Sequence, residues 1–279
     1  MSQNPQPKYH HHVPQLLIRN WRGNSEKVWS WNKHQQRAAE KLPKEILGEN
    51  FANRFIEFDG TKNNKVEIDF SFAEDEFATS VKQLLNNVEK GQVPRYNPKL
   101  TGGLHRLFWN VIARSTWMRS RHPIDETFYS DNIASGIIGD GALGNVYDFP
   151  VETLLQEGKA KENLKNQLAV QAIGKAAINT PSRVYDFGIA IFLTRNLKKT
   201  FLLGLNPIAQ ISTTMGPQPI SALPISPKIA IAPFGLSNTF EVFNIDDLQL
   251  RAFNKKVWNA SDEIVANNRE LLISLSKDR

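Results

Sequence analysis

The sequence predicts an α+β fold in a single domain over residues 1–279, and three observations support that prediction. Apolar side chains recur at helical spacing through much of the first half of the chain. Short apolar strand candidates are concentrated in the second half. The chain has 279 residues, 41% of them hydrophobic, which is near the size at which single cores stop growing. We therefore expect a helix-rich N-terminal half and a mixed or antiparallel sheet formed largely by the second half.

The first half has its clearest helix signals near the start and in two amphipathic stretches. Pro14 suits the first position of a helix, because proline lacks the N–H that would be unbonded there. Gly91 suits the residue after a helix, because glycine adopts positive φ without strain. The predicted elements are a flexible tail over 1–8, a helix over 14–21, strands over 26–31 and 65–72, and helices over 44–56, 77–88 and 104–118.

The second half is predicted from apolar runs and from its prolines. Five prolines between residues 206 and 227 predict a long loop that runs over the surface or borders the site. Asn244 and Ser261 are favourable N-cap residues and predict the starts of two closing helices. The remaining predictions are an irregular Gly-rich region over 125–150, a helix over 151–178, and strands over 184–193, 200–205, 228–232 and 239–243.

Composition excludes several kinds of chemistry. The chain has no cysteine, so disulfides, thiolate zinc sites and cysteine nucleophiles are excluded. A bound metal would need His, Asp, Glu or water as its ligands. No apolar run has the length of a signal-peptide core or of a membrane span. We therefore expect a soluble cytoplasmic protein that makes no membrane contact.

The net charge of +6 is unevenly distributed along the chain. From Lys90 to Ile124 there is no Asp or Glu, and Phe108, Trp109 and Trp117 are interleaved with the cations. The basic residues of this segment are Lys90, Arg95, Lys99, Arg106, Arg114, Arg119 and Arg121. Cations mixed with aromatic side chains suit phosphates and base faces together, but a solvated helix face has the same composition. Both interpretations stay open at the level of sequence.

The densest group of polar side chains lies before and within the first predicted helix. His10, His11 and His12 precede the helix. Gln15 and Arg19 are four residues apart and share one helical face, which favours a shared target. A histidine of near-neutral pKa can act as a general acid or base, and an arginine can bind a phosphate or carboxylate bidentately. The same side chains could instead form a structural hydrogen-bond network or belong to a purification tag.

The opening resembles that of a bacterial and archaeal family catalogued as domain of unknown function 4238 (DUF4238). His11–Trp21 resembles the family's His-His-Tyr-Val-Pro-Gln-Phe-Leu-Leu-Arg-Asn-Phe, with one residue missing before Val13. Lys27–Lys33 resembles a family strand with Val-Tyr-Asp-Lys, and Ile112–Ser115 is similar to a helix end with Arg-Thr-Pro. The resemblance implies a shared fold and the location of a site, but no reaction.

Two further motifs of the resemblance lie late in the chain. Asn206-Pro207 resembles the end of the family's Ser-Asp-Asn-Pro, and Pro224–Pro227 resembles its later Leu-Ser-Pro. This chain has Leu205 where the family usually has an aspartate, so a catalytic or metal-binding role of that carboxylate is not carried over. Members that look like this are suspected to be effectors of microbial defence or toxin modules, and the resemblance implies the same expectation here.

These residues lead to the hypothesis of an intracellular effector that acts on phosphodiesters, either as an RNase or as a nucleotide-processing enzyme. His11 or His12 would move a proton at the attacking or leaving oxygen. Gln15 would orient the substrate, and Arg19 would stabilise charge on the phosphate. The predicted substrate-binding residues are Arg106, Arg114, Arg119, Arg121 and Asn206. No cofactor is predicted, and a divalent metal is kept as an alternative.

The rival hypothesis is a non-catalytic sensor or regulatory subunit that binds nucleic acid, a nucleotide or a protein. It predicts that charge reversal in the basic segment weakens binding in a salt-dependent way, while changes to the histidines mainly affect folding. Both hypotheses expect nucleic acid or a nucleotide as the ligand, and a partner protein of a defence module is a further expectation. Group transfer from a nucleotide cofactor such as NAD would need a catalytic carboxylate that the sequence does not identify.

Overall fold

A computed structural model describes residues 9–50, 52–56, 62–115, 170, 173–174, 178–195, 199–212 and 218–277. The helices with described bounds are α1 (Gln15–Arg19), α2 (Lys65–Glu89), α3 (Pro98–Arg114), α4 (Asp247–Ala260) and α5 (Arg269–Lys277), with 3₁₀ turns at Pro43–Glu45 and Ser182–Asp186. The strands are β1 (Tyr9–His11), β2 (Val28–Asn32), β3 (Arg37–Lys41), β4 (Gly48–Asn50), β5 (Phe55–Ile56), β6 (Lys62–Asn63), β7 (Phe187–Thr194), β8 (Leu203–Gly204), β9 (Ala209–Ile211), β10 (Ile220–Ser226), β11 (Ile229–Leu236), β12 (Phe240–Ile245) and β13 (Glu263–Ala266). The prediction of an α+β fold is confirmed.

The larger sheet has five strands in the order β12-β7-β11-β10-β9. β12 runs parallel to β7, and the other neighbouring strands are antiparallel. Every residue of β7 from Gly188 to Phe192 is buried. A strand that is covered on both faces reads as a continuous apolar run, which is why the sequence predicted this strand. As expected, the sheet is mixed and comes from the second half of the chain.

The second sheet joins the two halves of the chain. Its order, β3-β2-β13-β8, places the N-terminal hairpin β2–β3 beside a strand near the C-terminus. Trp31 of β2 lies opposite Ile264 of β13. One cluster of buried apolar residues extends from Val13 near the start of the chain to Leu275 in α5. Both sheets therefore pack into a core to which the N- and C-terminal parts of the chain contribute.

The end of α2 is fixed by a glycine. Gly91 has φ +69°, and its N–H donates to the Val88 carbonyl at 2.9 Å. The Gln92 N–H donates to the Asn87 carbonyl, also at 2.9 Å. These are the two hydrogen bonds of a Schellman motif, in which the residue with positive φ is usually glycine. The predicted end of this helix at Gly91 is confirmed.

The start of α3 is fixed by an N-cap, and a glycine brings α3 close to α2. The Asn97 Oδ1 accepts from the N–H groups of Lys99 at 2.9 Å and Leu100 at 3.3 Å. Further along α3, a Cβ at Gly103 would lie 2.1 Å from the Ser80 Oγ of α2. The two helices therefore form a close antiparallel hairpin, and the turn between them lies at one end of it.

Residues 65–72, predicted as a strand, form the first turns of α2. Val66 and Phe70 are buried, whereas Ile68 and Phe72 have exposed fractions of 45% and 69%. Apolar residues at every second position produced the alternation of a strand, but in a helix they fall on two faces, and only the face with Val66 and Phe70 packs on the core. The prediction failed because half of the pattern lies on the solvent side of a helix.

The Pro-rich segment 206–227, predicted as a long loop, contains β9 and all of β10. Pro224 lies inside β10 opposite Ala230, beside a register shift between Pro224 and Ser226. Proline is tolerated in a sheet at such an irregularity, because no regular ladder hydrogen bond is lost there. Proline content therefore misled the prediction for this segment.

Two other boundaries differ from the sequence prediction. Residues 44–56 contain the end of a 3₁₀ turn and the short strands β4 and β5 in place of a helix. The helix expected from Ser261 begins at Arg269, because β13 lies between them and pairs with both β2 and β8. The predictions for residues 1–8, 125–150 and nearly all of 151–178 lie outside the described residues.

Candidate functional site

Strand β1 directs the opening histidines to opposite sides. Tyr9 and His11 lie on one side, with their ring centroids 5.2 Å apart. His10 is fully buried, and its Nδ1 accepts a hydrogen bond from the Asn53 N–H at 2.8 Å. The Asn53 Nδ2 in turn donates to the Glu67 Oε2 at 2.6 Å. His10 therefore belongs to a buried structural network, one of the alternatives that the sequence left open.

His11 is partly buried, and its neutral form is favoured. Its Nε2 lies 3.2 Å from the Pro43 carbonyl oxygen and donates to it in the Nε2–H tautomer. Burial is the main reason that the pKa of His11 is lowered from its ordinary value; Arg114 lowers it further, while the Pro43 carbonyl and Glu74 oppose the shift. With Nε2 donating, Nδ1 is the acceptor nitrogen, which is the form that a general base requires.

His12 is buried behind an exposed carboxylate. Its Nε2 lies 3.8 Å from the Glu49 Oε2, and the two side chains have exposed fractions of 5% and 72%. The His12 backbone N–H donates to the Leu47 carbonyl at 2.9 Å. His11 and His12 therefore occupy different environments although they are adjacent in sequence.

A strained turn at Leu47 links the histidine segment to distant parts of the chain. Leu47 is buried and has φ +53°, which is uncommon for a residue other than glycine. Its N–H donates to the Glu263 Oε2 at 2.7 Å, and the Glu263 Oε1 lies 3.2 Å from the Lys41 Nζ. The next N–H, of Gly48, donates to the Tyr9 hydroxyl oxygen at 3.1 Å. These contacts hold β1, β3, β4 and β13 together.

Sequence reasoning missed Tyr9, Lys41, Glu49 and Glu263 as neighbours of the histidines. Burial raises the pKa of Tyr9 to about 12, and the carboxylate of Glu263 contributes to the increase. The phenol therefore stays protonated at neutral pH. No local pattern could have found Glu263, because it bonds a residue 216 positions away.

Arg114 faces the protein interior, which corrects its predicted role as a substrate-binding residue. Its side chain is fully buried, and its Nη1 donates to the Glu74 Oε1 at 2.7 Å. Its Nη2 donates to the His11 carbonyl oxygen at 2.5 Å. The guanidinium also lies 4.3 Å from the centroid of the Phe70 ring. The structure thus brings Arg114 to the histidine segment, but as the residue that joins α3 to α2 and β1.

Two other predicted substrate-binding residues also have partners within the protein. The Arg106 Nη1 lies 2.6 Å from the Glu76 Oε2, so its charge is compensated by α2. The Asn206 Nδ2 donates to the Ala260 carbonyl at 2.6 Å and caps the last turn of α4. Asn206 therefore caps the end of a helix, and its predicted contact with substrate stays a prediction.

Gln15 and Arg19 lie together on one face of α1, as their spacing predicted. The Arg19 Nη2 donates to the Gln15 Oε1, and Arg19 is exposed. Leu205, which stands where the family usually has an aspartate, is partly buried and packs against the core. Arg119 and Arg121 lie outside the described residues. Among the arginines predicted to bind phosphate, Arg19 is exposed, and its described hydrogen-bond partner is the side-chain amide of Gln15.

A polar cleft of about 670 Å³ lies at the turn between α2 and α3. Its lining residues are Gln83, Asn87, Gln92, Val93, Arg95, Tyr96 and Asn97. Val93 and Tyr96 have exposed fractions of 56% and 46%, which is unusual for such side chains. The described part of the lining consists of amides, one guanidinium, one phenol and one valine, without a carboxylate.

Arg95 lines this cleft, and three lysines lie within two residues of its lining residues in the sequence. Lys82, Lys90, Arg95 and Lys99 are exposed, and none of them forms an ion pair with a residue that the structure describes. Glu89 is the sole acidic residue between Lys82 and Lys99. Arg106 and Arg114, further along α3, each have a carboxylate partner. The uncompensated positive charge of the described basic segment is therefore concentrated at the α2–α3 turn.

The cleft and the histidine segment are separate sites. Arg114 and Glu74 meet at the end of the hairpin where β1 passes. Gln83 follows Glu74 by nine residues of α2, which is about 14 Å along a helix axis. The single site that the sequence suggested, with the basic segment serving the histidines, is therefore replaced by two.

The described residues contain no group of three or more His, Asp and Glu side chains that could hold a metal ion. His12 and Glu49 bring an imidazole and a carboxylate together. A structural metal site needs about four protein ligands and a catalytic one about three. The divalent metal that the sequence kept as an alternative therefore stays a prediction.

Comparison with family models matches residues 9–270 to DUF4238, which is described as a protein of unknown function. The chain belongs to the DUF4238 family. No curated protein and no solved structure matches it. In this DUF4238 protein the shared opening forms β1, a turn at residues 12–14 and α1. Across the described ranges, each helix is too short or too polar to cross a membrane.

Proposed function

We propose that this DUF4238 protein is a non-catalytic binding protein for single-stranded nucleic acid, which it holds in the cleft at the α2–α3 turn. The observation that supports the proposal most strongly is the set of four exposed cations on and near the α2–α3 turn, Arg95 in the cleft lining among them, without carboxylate partners among the described residues. Exposed cations that are not compensated within a protein are available to phosphates, and their binding releases counterions from the nucleic acid.

The side chains inside the cleft suit a nucleotide with its base unstacked. The exposed Tyr96 ring offers a stacking surface that accepts any base, because every base has a π face. The amides of Gln83, Asn87 and Gln92 supply donors and acceptors for base edges. Arg95 lies in the same lining and can bind a phosphate through two N–H groups.

A single strand fits this site better than a duplex. Bases in a duplex are stacked on each other, so a lone tyrosine in a cleft cannot reach a base face without unstacking it. The cleft volume of about 670 Å³ is in the range of small-ligand sites, enough for one nucleotide of a strand. Lysines around the cleft can contact the phosphates on either side.

The test is fluorescence anisotropy with labelled RNA and DNA single strands of about 12 nucleotides and a duplex of the same length. We expect single strands to bind more tightly than the duplex. Four phosphate contacts predict that log K falls against log salt with a slope of about −3. Equal binding of the duplex, or the absence of binding to single strands at low salt, would contradict the proposal.

Three variants separate the contributions of charge and stacking. Arg95→Gln removes one phosphate contact and should reduce the slope by about 0.7. Tyr96→Leu should cost about 1–3 kcal/mol of binding free energy and leave the slope unchanged. Lys255→Gln removes an exposed cation of α4 and is the matched control. If Lys255→Gln weakens binding as much as Arg95→Gln, general charge and not the cleft holds the strand.

A second candidate function is phosphodiester cleavage at the histidine segment, and the environment of His11 favours it. His11 is partly exposed, its lowered pKa favours the neutral form, and the protonated phenol of Tyr9 lies beside it. In this mechanism Nδ1 of His11 accepts the proton of the attacking hydroxyl as its oxygen bonds to phosphorus. The P–O bond to the leaving oxygen breaks, that oxygen takes a proton from water, and Arg19 stabilises charge on the phosphate.

Cleavage is tested by incubating labelled RNA, tRNA and DNA with the protein, with and without EDTA. Folded His11→Ala and His12→Ala variants should lose cleavage, whereas His34→Ala, at an exposed position in the β2–β3 turn, should retain it. Full activity in both His11→Ala and His12→Ala would remove this candidate. The role of an effector in a defence or toxin module stays a prediction from the family resemblance.

A further inference from the structure

A second cleft, of about 450 Å³, lies between α3, the 3₁₀ turn at Ser182–Asp186 and the larger sheet. Its lining is mostly apolar. Phe108, Trp109 and Ile112 contribute one face of α3, and Ile220 and Phe234 contribute side chains from β10 and β11. A concave apolar site of this volume is in the range that binds small molecules.

The mostly apolar lining of this cleft includes one positively charged side chain, Arg183. Among the described residues that line the cleft, Arg183 is the only charged one. It is exposed and forms no hydrogen bond or ion pair with a residue that the structure describes. A guanidinium beside apolar walls attracts an anion more strongly than one surrounded by water, because the walls focus its field. The cleft therefore selects a ligand that is apolar with one anionic end.

We propose that this cleft binds a small aliphatic carboxylate. The planar guanidinium of Arg183 matches the two oxygens of a carboxylate, with two parallel N–H···O bonds. The alkyl chain would lie against Phe108, Trp109 and Ile220, where burial of each methylene contributes to affinity. The site is independent of the nucleic-acid cleft, since Phe108 follows Pro98 by ten residues, about 15 Å along α3.

The experiment compares decanoate with decanol, which has the same alkyl chain without a charge. Trp109 lines the cleft, so its fluorescence reports on occupancy, and the signal should disappear in Trp109→Phe. The full-length protein should bind decanoate about fivefold more tightly than decanol, the gain that an exposed ion pair typically provides. Equal affinity for the two ligands, or no binding of either, would overturn the proposal.

Two variants and a control locate the ligand. Arg183→Gln should weaken decanoate binding to the level of decanol and leave decanol unchanged. Ser221→Phe replaces an exposed residue of the lining with a ring that fills the cleft, and it should abolish binding of both ligands without disturbing the core. Arg22→Gln, at an exposed position elsewhere, should change nothing. Unaltered decanoate affinity in Arg183→Gln or Ser221→Phe would show that decanoate binds outside this cleft.

Discussion

At the scale of single residues, Arg114 shows how burial determines what a charge does. Its guanidinium is enclosed by Glu74, the His11 carbonyl and the Phe70 ring, so it connects three segments and cannot reach a ligand. Arg106 lies two turns earlier on the same helix and pairs with Glu76 near the surface. Arginine therefore has a structural role at position 114, whereas at position 106 it forms an ion pair that is largely exposed to solvent.

This contrast predicts different costs for the same substitution. Arg114→Met should reduce the free energy of unfolding by about 3–5 kcal/mol, because it leaves Glu74 and the His11 carbonyl without their buried partner. Arg106→Met should cost at most about 1 kcal/mol, since its ion pair is exposed. Urea unfolding followed by circular dichroism measures both. Similar losses in the two variants would contradict the structural role of Arg114.

The lowered pKa of His11 predicts how stability depends on pH. Because the folded protein favours the neutral ring, the unfolded chain binds the proton first as pH falls below about 6.5. The stability that His11 contributes is therefore present above that pH and is lost as pH falls through its lowered pKa. His11→Gln keeps an N–H near the Pro43 carbonyl but cannot titrate, so its unfolding free energy should fall less from about pH 7 to about pH 5.

The comparison of these pH dependences needs a control that also replaces one histidine by glutamine. His34 is exposed, and the unfolding free energy of His34→Gln should fall more from about pH 7 to about pH 5 than that of His11→Gln. Urea unfolding at each pH supplies the free energies for all three proteins. If the pH dependence of His11→Gln equals that of the wild-type protein, burial of His11 does not control this part of the stability.

At the scale of elements, the sequence predicted best where local chemistry decides the structure. Gly91 ends α2 with the Schellman hydrogen bonds that glycine favours, and β7 is the apolar run expected of a covered strand. Prediction failed where tertiary packing decides. The alternation over residues 65–72 is compatible with a strand, and the prolines of 206–227 are compatible with a loop. In both segments the long-range packing partners decide the structure.

Two glycines of the α2–α3 hairpin are predicted to respond to alanine with changes in stability of opposite sign. Gly91→Ala should cost about 1 kcal/mol, because its φ of +69° is strained for alanine although the space around it is open. Gly102→Ala should stabilise the protein by about 0.5–1 kcal/mol, since Gly102 lies inside α3 and a Cβ there meets nothing within 4 Å. Thermal unfolding distinguishes the two, and a stabilising Gly91→Ala would contradict the motif.

At the scale of the whole molecule, the candidate sites differ in how much of them the sequence could reveal. The cations and Tyr96 of the α2–α3 turn are close in sequence, so their grouping is visible as a segment without acidic residues. His12 lies beside Glu49 of β4 and bonds the Leu47 carbonyl, and Glu263 of β13 reaches Leu47 across 216 positions. This contact joins the turn before β4 to a strand of another sheet, and no local pattern encodes it.

The core shared by both ends of the chain predicts a single unfolding transition. Val13 and Leu272 belong to one buried cluster, so loss of packing in α5 should destabilise the fold as a whole. Leu272→Ala should reduce the free energy of unfolding by about 2–5 kcal/mol, because its side chain is fully buried. Leu248→Ala, at a position with an exposed fraction of 77%, should have little effect. In urea, the unfolding midpoints measured by far-ultraviolet circular dichroism and by tryptophan fluorescence should shift together in Leu272→Ala. Two separate transitions, of which only one shifts, would indicate two domains.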